Sequence, residues 1–187
     1  QIRPHETEQP FRMHVDRSFT LKGFGTVVTG TVLSGSVRQE EKILQYPQRR
    51  SIRIRRLQNN GQEVKEVFAG QRAALNLAGM AKEEIHRGDQ LACPKSLLNS
   101  YLLNVTLTLL ENVFASIKRR VRVRVHLGSK EVFGRIVLLE CESLSPGETA
   151  IAQLRLEKMV SSSYGDHSED HLYRNFEKKV RRNEKNR

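Results

Sequence analysis

A chain of 187 residues, 37% hydrophobic and 28% charged, suffices for one domain or two small ones around a core of modest size. Lys plus Arg outnumber Asp plus Glu by 32 to 21, a net charge of +11; without a basic amphipathic helix pattern, that excess points to nucleic acid before membrane, with a merely solvated basic surface as the alternative. No apolar run approaches the ~18 residues of a membrane span, the opening Gln1-Ile2-Arg3-Pro4-His5 is not a signal peptide, and Cys93 and Cys141 lack partner motifs, which excludes a disulfide scaffold or zinc module and favours reduced thiols in the cytoplasm.

Almost every periodic segment has period two, the mark of strands. Val27, Val28, Thr29, Thr31, Val32 and Leu33 form a β-branched run after the Gly23-Phe24-Gly25 turn, and Ser34-Gly35-Ser36 separates it from a run through Ile43, Leu44 and Tyr46. Ile52 and Ile54 alternate with arginines, and Ala73, Leu75 and Leu77 alternate with Ala74 and Asn76. Past the Cys93-Pro94-Lys95 break come Leu103 to Leu109, then Val121 to Leu127 alternating with Arg122, Arg124 and His126. Ile136–Leu139 and Ala150–Leu156 follow, with the Ser145-Pro146-Gly147-Glu148 turn between them. Helix signal is confined to Lys82-Glu83-Glu84-Ile85. The expected fold is all-β: two consecutive small antiparallel β-barrels, over residues 1–94 and 95–160, and a polar tail, 161–187, expected to be disordered.

Catalytic signatures are missing. A nucleoside triphosphatase needs a Gly-x-x-x-x-Gly-Lys-Ser/Thr loop, and no Gly-Lys pair occurs. His167 and His171 stand four apart but no third ligand joins them, so no metal site is expected. No nucleophile elbow is present either. The expectation is a chain with no catalytic residues and no cofactor.

Two blocks carry a resemblance. Pro10-Phe11-Arg12-Met13-His14-Val15-Asp16-Arg17-Ser18-Phe19 leads into Gly23-Phe24-Gly25-Thr26-Val27-Val28-Thr29-Gly30-Thr31, and Ala69–Gly79 leads into Lys82–Asp89. Together they resemble the second domain of translational GTPases, the barrel that follows the GTP-binding domain. The tight turn requires positive φ at its glycines, and Gly30 lets another backbone approach closely. Arg120–His126, Gly134–Leu139 and Leu144–Glu148 are similar to the third domain. The wording Gly70-Gln71-Arg72-Ala73-Ala74-Leu75-Asn76-Leu77-Ala78-Gly79 and the Arg following Asp16 resemble the bacterial selenocysteine-specific elongation factors. Glu40-Glu41 stands where that family usually has Gly-Asp. After Tyr164-Gly165-Asp166 the chain turns polar where the family continues into an apolar strand, so an exposed sheet edge is expected.

The resemblance implies that Arg17 and Arg72 belong to the pocket for the selenocysteinyl group on tRNA. Asp16 reads as a turn residue or pocket neighbour rather than a ligand. Selenocysteine's selenol is an anion at neutral pH whereas serine is neutral, and fixed guanidinium charges separate the two. Two charge-assisted hydrogen bonds at ~1.5–3 kcal/mol each give a preference on the order of a hundredfold or more. The alternative is that each arginine simply pairs with a nearby carboxylate such as Asp16 or Glu63. Lys118, Arg119, Arg120, Arg122 and Arg124, with His126, read either as contacts to the tRNA backbone or as a solvated barrel exterior. Arg49, Arg50, Arg53, Arg55 and Arg56 invite the same two readings.

The resemblance further implies selenocysteinyl-tRNA, the ribosome and the factor's own G domain as partners, with GTP and Mg belonging to that domain. It makes the chain the middle part of such a factor. A stand-alone basic RNA-binding or ribosome-associated barrel, and a module docking a G domain through the Gly23–Thr31 surface, are the other readings.

Overall fold

The computed structural model describes residues 8–113 and 115–163. The described residues form two compact units, the first of residues 8–99 with 128–130 and 161–163, the second of residues 100–127 and 131–160. The first contains β1 (Arg12–His14), β2 (Arg17–Leu21), β3 (Gly25–Ser34), β4 (Ser36–Arg38), β5 (Lys42–Tyr46), β6 (Arg50–Asn59), β7 (Gln62–Val64), β8 (Glu66–Phe68), β9 (Arg72–Leu77) and β10 (Gln90–Ala92). The second is built from β11 (Leu98–Thr108), β12 (Ile117–Lys118), β13 (Arg120–Leu127), β14 (Lys130–Leu138), β15 (Ser143–Leu144) and β16 (Thr149–Ser162). The all-β expectation holds, and the helix signal at Lys82–Ile85 reduces to one 3-10 turn, Lys82–Glu84.

In the first unit the ladder runs β1-β10-β5-β6-β9-β3 and closes on itself because β1 also pairs with β3. β2 continues along β3, β7 extends β6 through an Asn60-Gly61 hairpin with φ of 50° and 77°, and β4 with β8 forms a separate ribbon. Strand alternation supplies the core: Val28, Val32, Ile43, Ile52, Ile54, Leu75, Leu77 and Leu91 point inward with Phe11 and Met13. The strand-rich runs were legible, but the three-residue strands β1, β4, β7, β8 and β10 were not, because three residues cannot display a period.

Closure depends on one glycine. Gly30 lies on the inward face of β3, and a Cβ there would sit 1.9 Å from the carbonyl oxygen of His14. The expectation of a close backbone approach at Gly30 is therefore met, and the approaching segment is the β1 end that seals the barrel. Glu40, standing where the resembled family usually has Gly, occupies its turn with φ of 72°. Its N–H donates to the Ile54 carbonyl at 2.8 Å and its carboxylate holds Arg53, so local bonds sustain a left-handed conformation that a side chain disfavours.

The second unit orders its strands β11-β16-β14-β13, with the β12–β15 ribbon against the same core of Leu107, Val125, Ile136, Leu138, Leu144, Ala152 and Leu154. β14 and β16 are antiparallel, Arg135 opposing Arg155. β11 and β13 are the two ends of that ladder. The tail was expected to begin at Ser161, but β16 carries Ser161 and Ser162, and Ser161 is buried. The remainder of the expected tail lies outside the described residues.

Replacing Gly30 with Ala should lower unfolding stability by ~3 kcal/mol or more, because strand backbone rather than a flexible side chain occupies the Cβ position. Chemical denaturation followed by far-UV circular dichroism measures it. A loss below ~1 kcal/mol would show that the β1–β3 seam is not as tight as described.

Candidate functional site

Between β1 and β2 the chain gains one residue on its partner. Met13 opposes Val32 and Arg17 opposes Thr29, so His14, Val15 and Asp16 stand against only Thr31 and Gly30. Such a bulge redirects side chains. Val15 turns into the core, its N–H donating to the Asp89 carbonyl and its carbonyl accepting from the Gly88 N–H, both at 2.9 Å. Asp16 turns outward, anchored by its own N–H to the Thr29 carbonyl at 2.8 Å. Its Oδ2 accepts from Arg72 Nη1 at 3.0 Å.

Arg72 opens β9 opposite Thr31, and Arg17 opens β2 opposite Thr29. Thr29 and Thr31 lie on the outward face of β3, so both arginines project from the barrel exterior, one on each side of that strand. Two strand spacings and a two-residue offset put their Cα atoms roughly 12 Å apart. Both guanidinium groups can therefore reach a group seated over Thr29 and Thr31. Arg17 is exposed and has no ion pair among the described residues. Arg72 does pair with a carboxylate, Asp16 and not Glu63, which lies in β7 opposite Gln58. With the two side chains 57% and 33% exposed, that pair contributes at most ~1 kcal/mol. Asp16 orients Arg72 without locking it.

The next outward row carries Phe19, Val27, Asn76 and Arg56 across β2, β3, β9 and β6. Asn76 Nδ2 donates to the carbonyls of Phe24 (2.7 Å) and Thr26 (3.3 Å), which fixes the Gly23–Gly25 turn. Phe19, Leu21 and Phe24 stay exposed, and the Arg56 guanidinium lies 5.0 Å from the Phe24 ring centroid. The sequence had no signal for this apolar ledge, because strand pairing alone brings its members together. A break in register between Ile54 and Arg56 turns Arg55 and Arg56 outward in succession. Within the same arginine group, Arg50 is held by Glu84 and Arg53 by Glu40. The Glu84 carboxyl is held below its ordinary range, first by the Ala81 N–H and then by Arg50.

The second basic group is only partly free. Arg122 makes a bidentate pair with Glu157 at 2.9 and 3.0 Å, Arg124 pairs with Glu131 at 3.1 Å, and Arg119 pairs with Glu142. Lys118 and Arg120 are exposed and make no ion pair among the described residues. Glu157 is kept below the usual carboxylate range, chiefly by the Arg122 hydrogen bond, with the Arg122 and Arg135 charges adding to it against partial desolvation. Among the described residues no group of three or more His, Cys, Asp or Glu is arranged to hold a metal. His167 and His171 lie outside them. No helix among them is long and apolar enough to cross a membrane.

Residues 25–92 match the family Elongation factor Tu domain 2. The chain is 39% identical over 163 residues to the selenocysteine-specific elongation factor of Desulfomicrobium baculatum, covering 87% of this chain and 26% of that protein. A bacterial selenocysteine-specific elongation factor of known structure superposes with a TM-score of 0.73 at 30% identity, over 88% of this chain and 26% of its own. The apo translation elongation factor SelB of Methanococcus maripaludis shares the fold, with a TM-score of 0.76 at 24% identity over 87% of this chain and 38% of its own. The chain thus spans about a quarter of the length of the bacterial relatives it matches. The first unit therefore carries a barrel similar to elongation factor Tu domain 2. Over most of its length the chain is similar to part of the selenocysteine-specific, SelB-like elongation factors.

If the arginines serve binding rather than folding, Arg72→Ala should change unfolding stability by less than ~1 kcal/mol, since only an exposed ion pair is lost. Urea denaturation of the two proteins side by side provides the comparison. A larger loss would make Arg72 a structural residue.

Proposed function

We propose that the first barrel and the second β unit bind the aminoacyl end and acceptor arm of selenocysteinyl-tRNA, for delivery to the ribosome in the cytoplasm under control of a GTP-binding domain. The observation that carries this reading is the placement of Arg17 and Arg72 on either side of Thr29 and Thr31, on an open sheet face with a single weakly held carboxylate, Asp16. A selenolate seated there accepts charge-assisted hydrogen bonds from both guanidinium groups. It displaces Asp16 from Arg72 at little cost, because the exposed pair is weak. A neutral seryl hydroxyl offers no negative charge to either guanidinium group, so it is held less tightly. Asp16 has the further role of presenting Arg72 in the free state.

Lys118 and Arg120 contact tRNA phosphates in this reading, and Arg119, Arg122 and Arg124 do so by sharing their charge with Glu142, Glu157 and Glu131. The chain itself supplies no catalytic residue. GTP and Mg are bound by the G domain of the intact factor, which acts as the GTPase, and that domain is a partner of these two units. The similarity to selenocysteine-specific factors over most of this chain supports this reading over a stand-alone basic RNA-binding barrel.

In a factor in which these units follow their G domain, Arg72→Ala should weaken selenocysteinyl-tRNA relative to seryl-tRNA by roughly ten- to hundredfold, the equivalent of one charge-assisted bond. Arg72→Lys should restore part of the ratio, because a point charge replaces the planar fork. Lys118→Ala should weaken both tRNAs alike. Equilibrium binding of both charged tRNAs in the GTP state reads these out, and an unchanged ratio in Arg72→Ala would refute the pocket.

A further inference from the structure

The four-stranded ladder of the second unit ends on two edges of opposite character. β13 carries Arg120, Arg122, Arg124 and His126 at alternate positions, the kind of charged guard that keeps a sheet edge from pairing. β11 carries no such guard. From Leu97 to Leu110 the chain has no charged residue, no glycine and no proline, although 28% of the whole sequence is charged. Among the described residues no strand pairs with the outer side of β11.

Register determines which groups that edge presents. Asn104 Oδ1 accepts from Gln153 Nε2 at 3.3 Å, the Thr108 and Thr149 hydroxyls lie 2.9 Å apart, and the Leu109 N–H donates to the Glu148 carbonyl at 2.9 Å. All three contacts set β11 antiparallel to β16 in the same register. Odd-numbered residues of β11 therefore turn their backbone groups toward β16, and the even-numbered ones, Leu98 to Thr108, turn theirs to the open side. The Leu102 N–H and carbonyl are met by a side chain and not by a strand: the Ser100 hydroxyl accepts from the first at 2.9 Å and donates to the second at 2.6 Å. The same register places Tyr101, Leu103 and Val105 opposite the buried Leu156, Leu154 and Ala152, on the core face. Tyr101 is nevertheless 50% exposed, and Leu103 and Val105 are only partly buried. The core is left uncovered along this edge.

We propose that the β11 edge is a self-association surface, to which β11 of a second copy of this chain adds as an antiparallel strand. Two-fold pairing about Leu103 sets Leu98 against Thr108, Ser100 against Thr106 and Leu102 against Asn104, so the open backbone groups of each copy meet those of the other. On the core face it sets Tyr101 against Val105, an aromatic against a β-branched side chain, with Leu103 against Leu103 at the axis. Those pairs cover the exposed stretch of core. The identity of the occupant follows from charge. Two chains of net charge +11 repel each other, and the uncharged run lets them meet without like charges opposed. Lys95 and Glu111 bound that run at its two ends. Antiparallel pairing brings the lysine of each copy to the end where the other has its glutamate, whereas parallel pairing would bring like to like. The proposal is independent of the tRNA reading.

Sedimentation velocity of the nuclease-treated 187-residue chain is the test. A single strand pair is a small interface, so dimer should appear near ~100 µM and be absent near ~1 µM. Added salt should raise the dimer fraction, because it screens the repulsion between two basic chains. Leu102→Lys with Asn104→Lys, both at exposed positions, sets lysine against lysine twice across the pair and should weaken association roughly tenfold or more. Leu102→Lys with Asn104→Glu sets lysine against glutamate and should restore it. Amide hydrogen exchange gives a second reading on the unaltered chain: Leu102, Asn104 and Thr106 should gain protection as concentration rises, while Leu103 and Val105, already turned to β16, should not. A monomer at every concentration up to ~300 µM would overturn the proposal, leaving the edge to another segment or another protein. So would a lysine–lysine variant that associates like the parent chain, which would place the contact elsewhere, or a lysine–glutamate variant no stronger than the lysine–lysine one. Exchange that is independent of concentration at Leu102, Asn104 and Thr106 would equally refute it.

Discussion

The first barrel turns on the absence of a side chain at Gly30. β3 is the strand on which β1, β2 and β9 all pair, and the His14 carbonyl passes through the space a Cβ would need. Because β1 can come that close, it pairs with β3 on one side and β10 on the other, and the sheet closes into a cylinder. The same crowding forces one extra residue into the approaching chain. The core takes Val15 and the surface takes Asp16, so the packing constraint that closes the barrel also aims the carboxylate that meets Arg72.

From that point the site is made of positions rather than depth. Arg17 and Arg72 stay exposed, and their energetic value lies in what they offer an anion rather than in what they do for the fold. The arginines of the second unit follow the same logic with a different outcome. Arg119, Arg122 and Arg124 are each paired with a glutamate, whereas Arg135 and Arg155 face each other with no ion pair of their own among the described residues, Arg135 acting on Glu157 only as a neighbouring charge. A count of basic residues treats all of these alike. Their use depends on which carboxylates the strand register brings beside them.

That distinction explains what the sequence could and could not reveal. The long alternating runs, from Val27 to Leu33, Val121 to Leu127 and Ala150 to Leu156, read as strands because each shows its period several times over. Gly30 announced a close approach because glycine within a β-branched run has few other reasons to be there. Asp16, Arg17 and Arg72 were reachable only through resemblance, since 56 residues separate Asp16 from Arg72 and nothing local joins them. The pairing of Arg135 with Arg155, the bulge at Asp16 and the Phe19, Leu21 and Phe24 ledge are products of register, which a hydrophobic pattern specifies to the correct face but not to the individual partner. Ser161 was misjudged for a related reason: a run of serines reads as a tail, yet β16 carries its ladder on through Ser162.

The central claim, that the face around Thr29 and Thr31 reads the charge of an aminoacyl side chain, is tested most directly by watching the arginines themselves. Nitrogen-15 NMR of the arginine Nε–H groups, recorded while a selenocysteinyl-adenosine mimic of the tRNA end is titrated into the chain, should show Arg17 and Arg72 shifting together. The seryl analogue at the same concentrations should leave both nearly unmoved. Equal shifts with the two ligands, or shifts confined to other arginines, would contradict the account.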